Sequence, residues 1–200
     1  MTVATPVRVR YHIDAEDRLD GFDAGWTAFA ETNDGAAMLP SKIHGQVLWQ
    51  FIGDSTTVQL YKGMLRRLRK SGAPVRFKLR CDSPDRRRFL EMTLTADSSR
   101  GVQFDVKVLK EELREAVPLL AATTPRSDRL VLMCAWCQRV RVPSGDWVEV
   151  EDGLNALEIF NAETVPRLSH GICPACSATL IEADALDEPS SGAPISREPV

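Results

Sequence analysis

The chain has 200 residues, 44% of them hydrophobic, and a formal net charge of −3. That length accommodates an ordinary domain plus a smaller one, and the acidic balance, with a pI near 5.7, gives no global attraction to nucleic acid or anionic lipid. No stretch approaches the roughly 18 continuous apolar residues of a membrane-spanning helix, and the first ten residues carry no signal-peptide core. A cytoplasmic protein with no membrane partner is expected.

Residues 1–6 read as an N-terminal arm. Val7 to Ile13 is rich in β-formers, and after the polar turn Asp14 to Arg18 a second short strand is expected over Leu19 to Asp23, making a hairpin. A helix then starts near Asp23 or Ala24, carries Trp26, Phe29 and Ala30 on one side, and stops at Asn33-Asp34-Gly35. Val47 to Ile52 is a compact apolar run expected to form a buried helical turn or two. Asp54-Ser55 offers an N-cap for a longer helix in which Val58, Tyr61, Leu65 and Leu68 recur at helical spacing and which Gly72 ends.

From Pro74 the period changes to two. Val75, Phe77, Leu79 and Cys81 alternate with Arg76, Lys78 and Arg80, which predicts a strand with one apolar and one cationic face and puts Cys81 on the buried side as a small core residue. Two further alternating strands are expected, one with Leu90, Met92 and Leu94 inward, the other with Val102, Phe104, Val106 and Val108 inward. Three amphipathic strands joined by short connections predict an antiparallel meander with helices covering one face.

The order of two strands, several helices including a long one, and three strands resembles the PAS domain. Trp26 to Asn33, the Gly45 to Asp54 run, the Tyr61 to Arg69 helix and Arg80-Cys81-Asp82-Ser83-Pro84 look like a bacterial PAS-type branch that carries a four-cysteine module behind it. The resemblance implies a sensory domain over residues 7–117, with dimerisation through the sheet or flanking helices. It also implies a pocket, for which Trp26, Phe29, Trp49, Phe77, Met92 and Phe104 are the lining candidates, with plain core as their alternative role. The long helix contains no histidine, and no cysteine precedes Cys81; neither the haem nor the flavin-photoadduct pattern of PAS domains is therefore expected.

Glu111 to Leu120 reads as a short exit helix interrupted by Pro118, and residues 118–129 as an interdomain linker. The module that follows, residues 130–183, opens on Cys134-Ala135-Trp136-Cys137 and is answered by Cys173-Pro174-Ala175-Cys176. Two such pairs can turn four thiolates towards one tetrahedral ion, and zinc is the expected occupant. A redox dithiol is the alternative reading of either pair. With all four ligand places filled by protein, the site reads as structural and not hydrolytic.

His170, just before the second pair, is read as an outer partner of a sulfur or of the loop backbone, and Arg139, just past the first, as an offset to the thiolate charge. A hairpin at Arg139 to Val142 and Trp147 to Val150 lies between the pairs. A helix at Asn155 to Phe160 and another from the second pair through Ala183 complete an order similar to a treble-clef finger. The tail, 184–200, has little to bury and is expected to be disordered.

The fold class expected is thus α+β: a PAS-like antiparallel sheet with helices on one face, then a small zinc-finger-like module. No catalytic set is visible: His12 and His44 have no nucleophile in recognisable register, and no phosphate-cradling glycine loop occurs. A non-enzymatic sensory or interaction protein of signal transduction is expected, recognising a small molecule or a partner protein.

Two other readings stand beside it. Between Lys62 and Arg100 there are twelve basic residues and four acidic ones, and Arg66, Arg67, Arg76, Lys78 and Arg80 form a candidate face for nucleic acid or a partner, disfavoured by the acidic pI. The thiolates also suit a redox sensor that ejects zinc on oxidation.

Overall fold

In a computed structural model, residues 7–33, 35–159 and 163–185 are described. The chain is mixed α+β, with two sheets. The first has five strands, β1 (Arg8–Ile13), β2 (Leu19–Phe22), β3 (Val75–Arg80), β4 (Arg86–Ala96) and β5 (Val102–Leu113), in the antiparallel order β2-β1-β5-β4-β3. The two N-terminal strands therefore add to the edge of the later meander, through a register that sets Tyr11 opposite Phe104. Their rings stack at 4.5 Å.

Helices lie between β2 and β3 in sequence. Helix α1 (Ala24–Thr32) is capped by Asp23, whose carboxylate accepts the Trp26 amide, and α2 (Pro40–Ile43) is a single turn. The apolar run at Leu48–Phe51 forms a short 3-10 turn. Helix α3 (Ser55–Ser71) is capped by Asp54 and ends on Gly72 at φ +71, a left-handed conformation that glycine adopts without strain. Tyr61, Leu65 and Leu68 are the buried stripe of α3, and they share a core with Ile13, Leu19, Met92, Leu94 and Phe104. Burial of such a stripe, more than local propensity, is what holds a helix of this length.

Local pattern misled at two places. The expected exit helix at 111–120 is the end of β5, which runs to Leu113 because Arg86, Arg87 and Arg88 of β4 pair with Leu113, Glu112 and Glu111 across the ladder. A 3-10 turn at Pro118–Leu120 follows. Cys81 is exposed, not buried: β3 stops at Arg80, and although the Cys81 amide still bonds across to the Arg88 carbonyl, the residue lines an open cleft. The alternation in sequence outlasts the strand by one residue.

The second sheet is built from β6 (Arg126–Cys134), β7 (Val140–Arg141), β8 (Trp147–Val148) and β9 (Val165–Gly171) in the order β8-β7-β6-β9. The expected hairpin is β7–β8, whereas β6 and β9 are parallel. Helix α4 covers Val150–Ala156, earlier than the Asn155 to Phe160 expected, with Glu151 and Asp152 in its first turn where the helix dipole favours acid; Phe160 lies outside the described residues. Helix α5 covers Pro174–Ala185.

A separate core forms here from Val131, Met133, Val140, Val150, Leu154 and Val165, joined by Val117 and Leu119. Within the 118–129 stretch Leu119 is fully buried and Arg126 donates to the carbonyls of Leu119, Ala121 and Pro166. The N-terminal arm and residues 186–200 of the expected tail lie outside the described residues. Among the described residues, no helix is long and apolar enough to cross a membrane.

Candidate metal centre

The parallel register of β6 and β9 sets Cys134 opposite Gly171, so both cysteine pairs leave the same end of the same two strands. The first pair turns tightly: the Cys134 amide donates to the Arg139 carbonyl at 2.8 Å and the Gln138 amide to the Cys134 carbonyl at 3.0 Å, with Gln138 at φ +61. The Ala135 amide ties this loop to β9 by donating to the Gly171 carbonyl at 2.8 Å. The second pair straddles the start of α5, where Pro174 suits a first-turn position whose N–H would have no helical partner.

The sulfurs of Cys134, Cys137, Cys173 and Cys176 all lie within 4.8 Å of one another. Cys137 and Cys173, from different loops, are 3.7 Å apart. A tetrahedron with metal–sulfur bonds of about 2.3 Å has edges of about 3.8 Å, whereas a disulfide would need sulfurs about 2.05 Å apart. Two backbone amides point at sulfur, Cys173 to Cys134 Sγ and Cys176 to Cys173 Sγ, each at 3.4 Å. Such donors stabilise thiolate, the form that ligates.

The crowding of four thiols favours a cation here. Hydrogen bonding from Cys137 and from backbone amides brings the Cys134 thiol down to about 4, against the opposing effect of burial. The interaction with Cys134, then burial, pushes Cys137 well up; burial first, then Cys173, takes Cys176 up to about 12. Thiols packed this closely resist joint ionisation unless a cation compensates the charge. The donor set and its spacing fit a four-coordinate metal ion.

Arg139 and His170 differ in their relation to the site. Arg139 donates to Glu149 at 3.1 Å, and its guanidinium is held protonated first by Glu149 and in part by the charge of Cys137 and Cys173. Its contact is with that carboxylate, and the sulfur cluster acts on it through charge. His170 is exposed on β9, in register with Met133, and does not join the sulfur group.

Of the residues expected to line a pocket, Trp26, Trp49, Phe77, Met92 and Phe104 pack in or against the first core, the other role open to them. Trp26 packs edge-on to Tyr11 and donates to the Met38 carbonyl; Trp49 donates to Asp17 with Lys62 over its ring. Met92 and Phe104 are buried in the first core. Phe29 lines a cleft of about 1110 Å³ between α1, the 81–86 turn and Leu120, where the buried Arg88 guanidinium lies over its ring. Cys81 lines the same cleft.

Phe77 belongs to a group the sequence did not single out. It stands 5.4 Å from Trp136, which is also 5.3 Å from Tyr61. Trp136 is the aromatic residue inside the first cysteine pair, and an apolar side chain that large on a short metal loop is the signal that it would be buried elsewhere.

The candidate cationic face divides. Arg66 and Arg67 lie on α3, which covers one side of the first sheet, whereas Arg76 and Lys78 are exposed on the side opposite Phe77. Arg80 is mostly covered and forms ion pairs with Asp82 and Glu149. Glu151 pairs likewise with Arg87 at 2.8 Å and Arg114 at 2.9 Å. These acidic residues of the second unit and basic residues of the first were legible only as separate charges.

No protein-family model matches the chain, and no curated protein matches it in sequence.

Proposed function

We propose that this chain is a non-enzymatic sensory or interaction protein of bacterial signal transduction. In it a PAS-like unit recognises a small molecule or a partner protein and is coupled to a zinc-stabilised module. Zinc is the ion best suited to four thiolates in closed tetrahedral coordination, where it supplies folding energy and leaves no place for substrate. A reducing cytoplasm suits thiols kept as metal ligands. The PAS-like reading is supported by the element order and by the closure of all five strands into one antiparallel sheet with the long helix on its buried face.

The observation that carries the proposal is the shared core. Cys134, Trp136 and Cys173 belong to the same buried cluster as Ile13, Tyr61, Leu94 and Phe104. A shift in the first unit therefore meets the metal loops directly, through packed side chains that tolerate little continuous deformation. Occupancy of the first unit then changes how the module docks, which exposes or hides a partner surface.

Native and denaturing mass spectrometry of the untagged protein identifies any co-purified molecule. Hydrogen exchange with and without that molecule tests the coupling. Changed protection in residues 130–183 is expected; binding that leaves those residues untouched would contradict the proposal.

A further inference from the structure

The first metal loop serves both units. Cys134 and Cys137 give sulfur to the four-thiol site, while Trp136 between them is 5% exposed and packs on Tyr61 and Phe77. Its carbonyl accepts the Arg80 amide at 2.7 Å. Arg80 ends β3, an edge strand of the first sheet, and unpaired edge amides are otherwise open to solvent or to another chain. Residue 136 thus covers that edge with its ring and its backbone together.

A second attachment is electrostatic. Glu149, just before α4, binds Arg80 at 2.6 Å, and Glu151 binds Arg87 and Arg114. These carboxylates sit on the second sheet's own framework, whose core of Val131, Met133, Val140, Val150, Leu154 and Val165 is distinct from the first. Removing the metal would leave that core its apolar reason to fold. It would untie the sulfurs of the 134–137 loop from those of Cys173 and Cys176, leaving that loop to its backbone hydrogen bonds. The Trp136 indole N–H, moreover, is buried without a hydrogen-bond partner among the described residues, which makes the docked position less favourable than its packing alone would give.

We propose that the four-thiol site is a metal-dependent latch between the two sheets. With metal bound, the loop seats Trp136 on Tyr61 and Phe77; with metal removed, Trp136 leaves, the β3 edge opens, and Arg80, Arg87 and Arg114 lose their hold on the module. The latch rests on the four thiols being a metal site, and adds that the first sheet responds to occupancy. By linkage, anything that stabilises the docked arrangement raises metal affinity by the same factor.

Residue-resolved hydrogen exchange on the full chain, before and after chelation, tests this, with metal content measured on the same samples. Exchange at the Arg80 amide is expected to rise at least about tenfold on metal removal, together with Ala135 and Gln138, while α3 and the β1–β5 pairing keep their protection. Unchanged protection at Arg80 would overturn the latch. So would uniform loss of protection in both sheets, which would make the metal simply a condition of folding. Trp136→Ala retains all four thiols and should bind metal at unchanged stoichiometry, yet exchange at Arg80 as the metal-free protein does; protection retained at Arg80 in that variant would remove Trp136 from the mechanism. A chain that binds no metal would overturn both the latch and the metal site, a result the metal content alone reveals.

Discussion

Cys134 and Gly171 end two parallel strands side by side, and this pairing brings sulfurs separated by more than thirty residues of chain into one cluster. Each sulfur then contributes to a closed set, so losing one opens the site to water and leaves the others short of charge compensation. Cys134→Ser and Cys173→Ser are each expected to weaken metal binding by more than the roughly 10- to 100-fold typical of outer-shell substitutions. Competition with a chromophoric chelator measures this. Wild-type affinity in either variant would show that the cluster is not the binding site.

Helix α4 lies hard against β7. A Cβ on Gly153 would come within 2.5 Å of Val140 Cγ2, a buried atom in the second core. Gly153→Ala is therefore expected to destabilise the protein by about 1–3 kcal/mol through overpacking, despite alanine's better helix propensity. Chemical denaturation reads the sign; a stabilised variant would mean that α4 moves aside freely.

Arg88 is one of the few buried charged residues, 7% exposed. It donates to Glu111 and to the Asn33 side chain, each at 2.8 Å, and lies over Phe29. Arg88→Met keeps the stem's packing but deprives Asn33 of its donor; Glu111 keeps Arg86 and partial solvent access. The expected cost is about 1–3 kcal/mol, below the figure for breaking a fully buried pair. A neutral effect in thermal or chemical unfolding would show that the stem alone matters.

His12 places Nδ1 2.5 Å from Asp20 and Nε2 2.9 Å from Asp97. Partial burial opposes its charge, but the two carboxylates outweigh it and raise its pKa. The imidazolium's contribution to stability is therefore full below the unfolded value of about 6.5 and is lost as pH rises through the higher folded value. Asp97, held down to about 2 by Ser99 first and then by His12, contributes above the ordinary carboxylate range and loses that contribution as pH falls towards its folded value. Unfolding curves should show wild type weakening from pH 6 to 9 relative to His12→Gln. Parallel pH profiles would contradict this account.

The cysteine spacing announced the four-thiol cluster because two sulfurs three residues apart are held together locally, within each pair. Helix α3 was legible for a similar reason, with Asp54, Gly72 and the Tyr61, Leu65, Leu68 stripe all agreeing on one element. What sequence concealed depends on distant partners. The strand at 111–113 is fixed by Arg86, Arg87 and Arg88, and the exposure of Cys81 by the cleft it shares with Phe29 and Leu120. The parallel pairing of β6 with β9 joins segments that local pattern leaves unrelated, and the burial of Trp136 against Tyr61 and Phe77 requires both units at once. Trp26, Trp49, Phe77, Met92 and Phe104 could be read as pocket lining or as core, because apolar positions look alike in sequence; in the fold they pack in or against one core.

Metal content tests the four-thiol site most directly. Elemental analysis and native mass spectrometry of the untagged, freshly purified chain should find one zinc ion per chain, released on denaturation or chelation with four free thiols appearing in step. No stoichiometric metal, or a disulfide joining any of Cys134, Cys137, Cys173 and Cys176 in the reduced-handled protein, would contradict it.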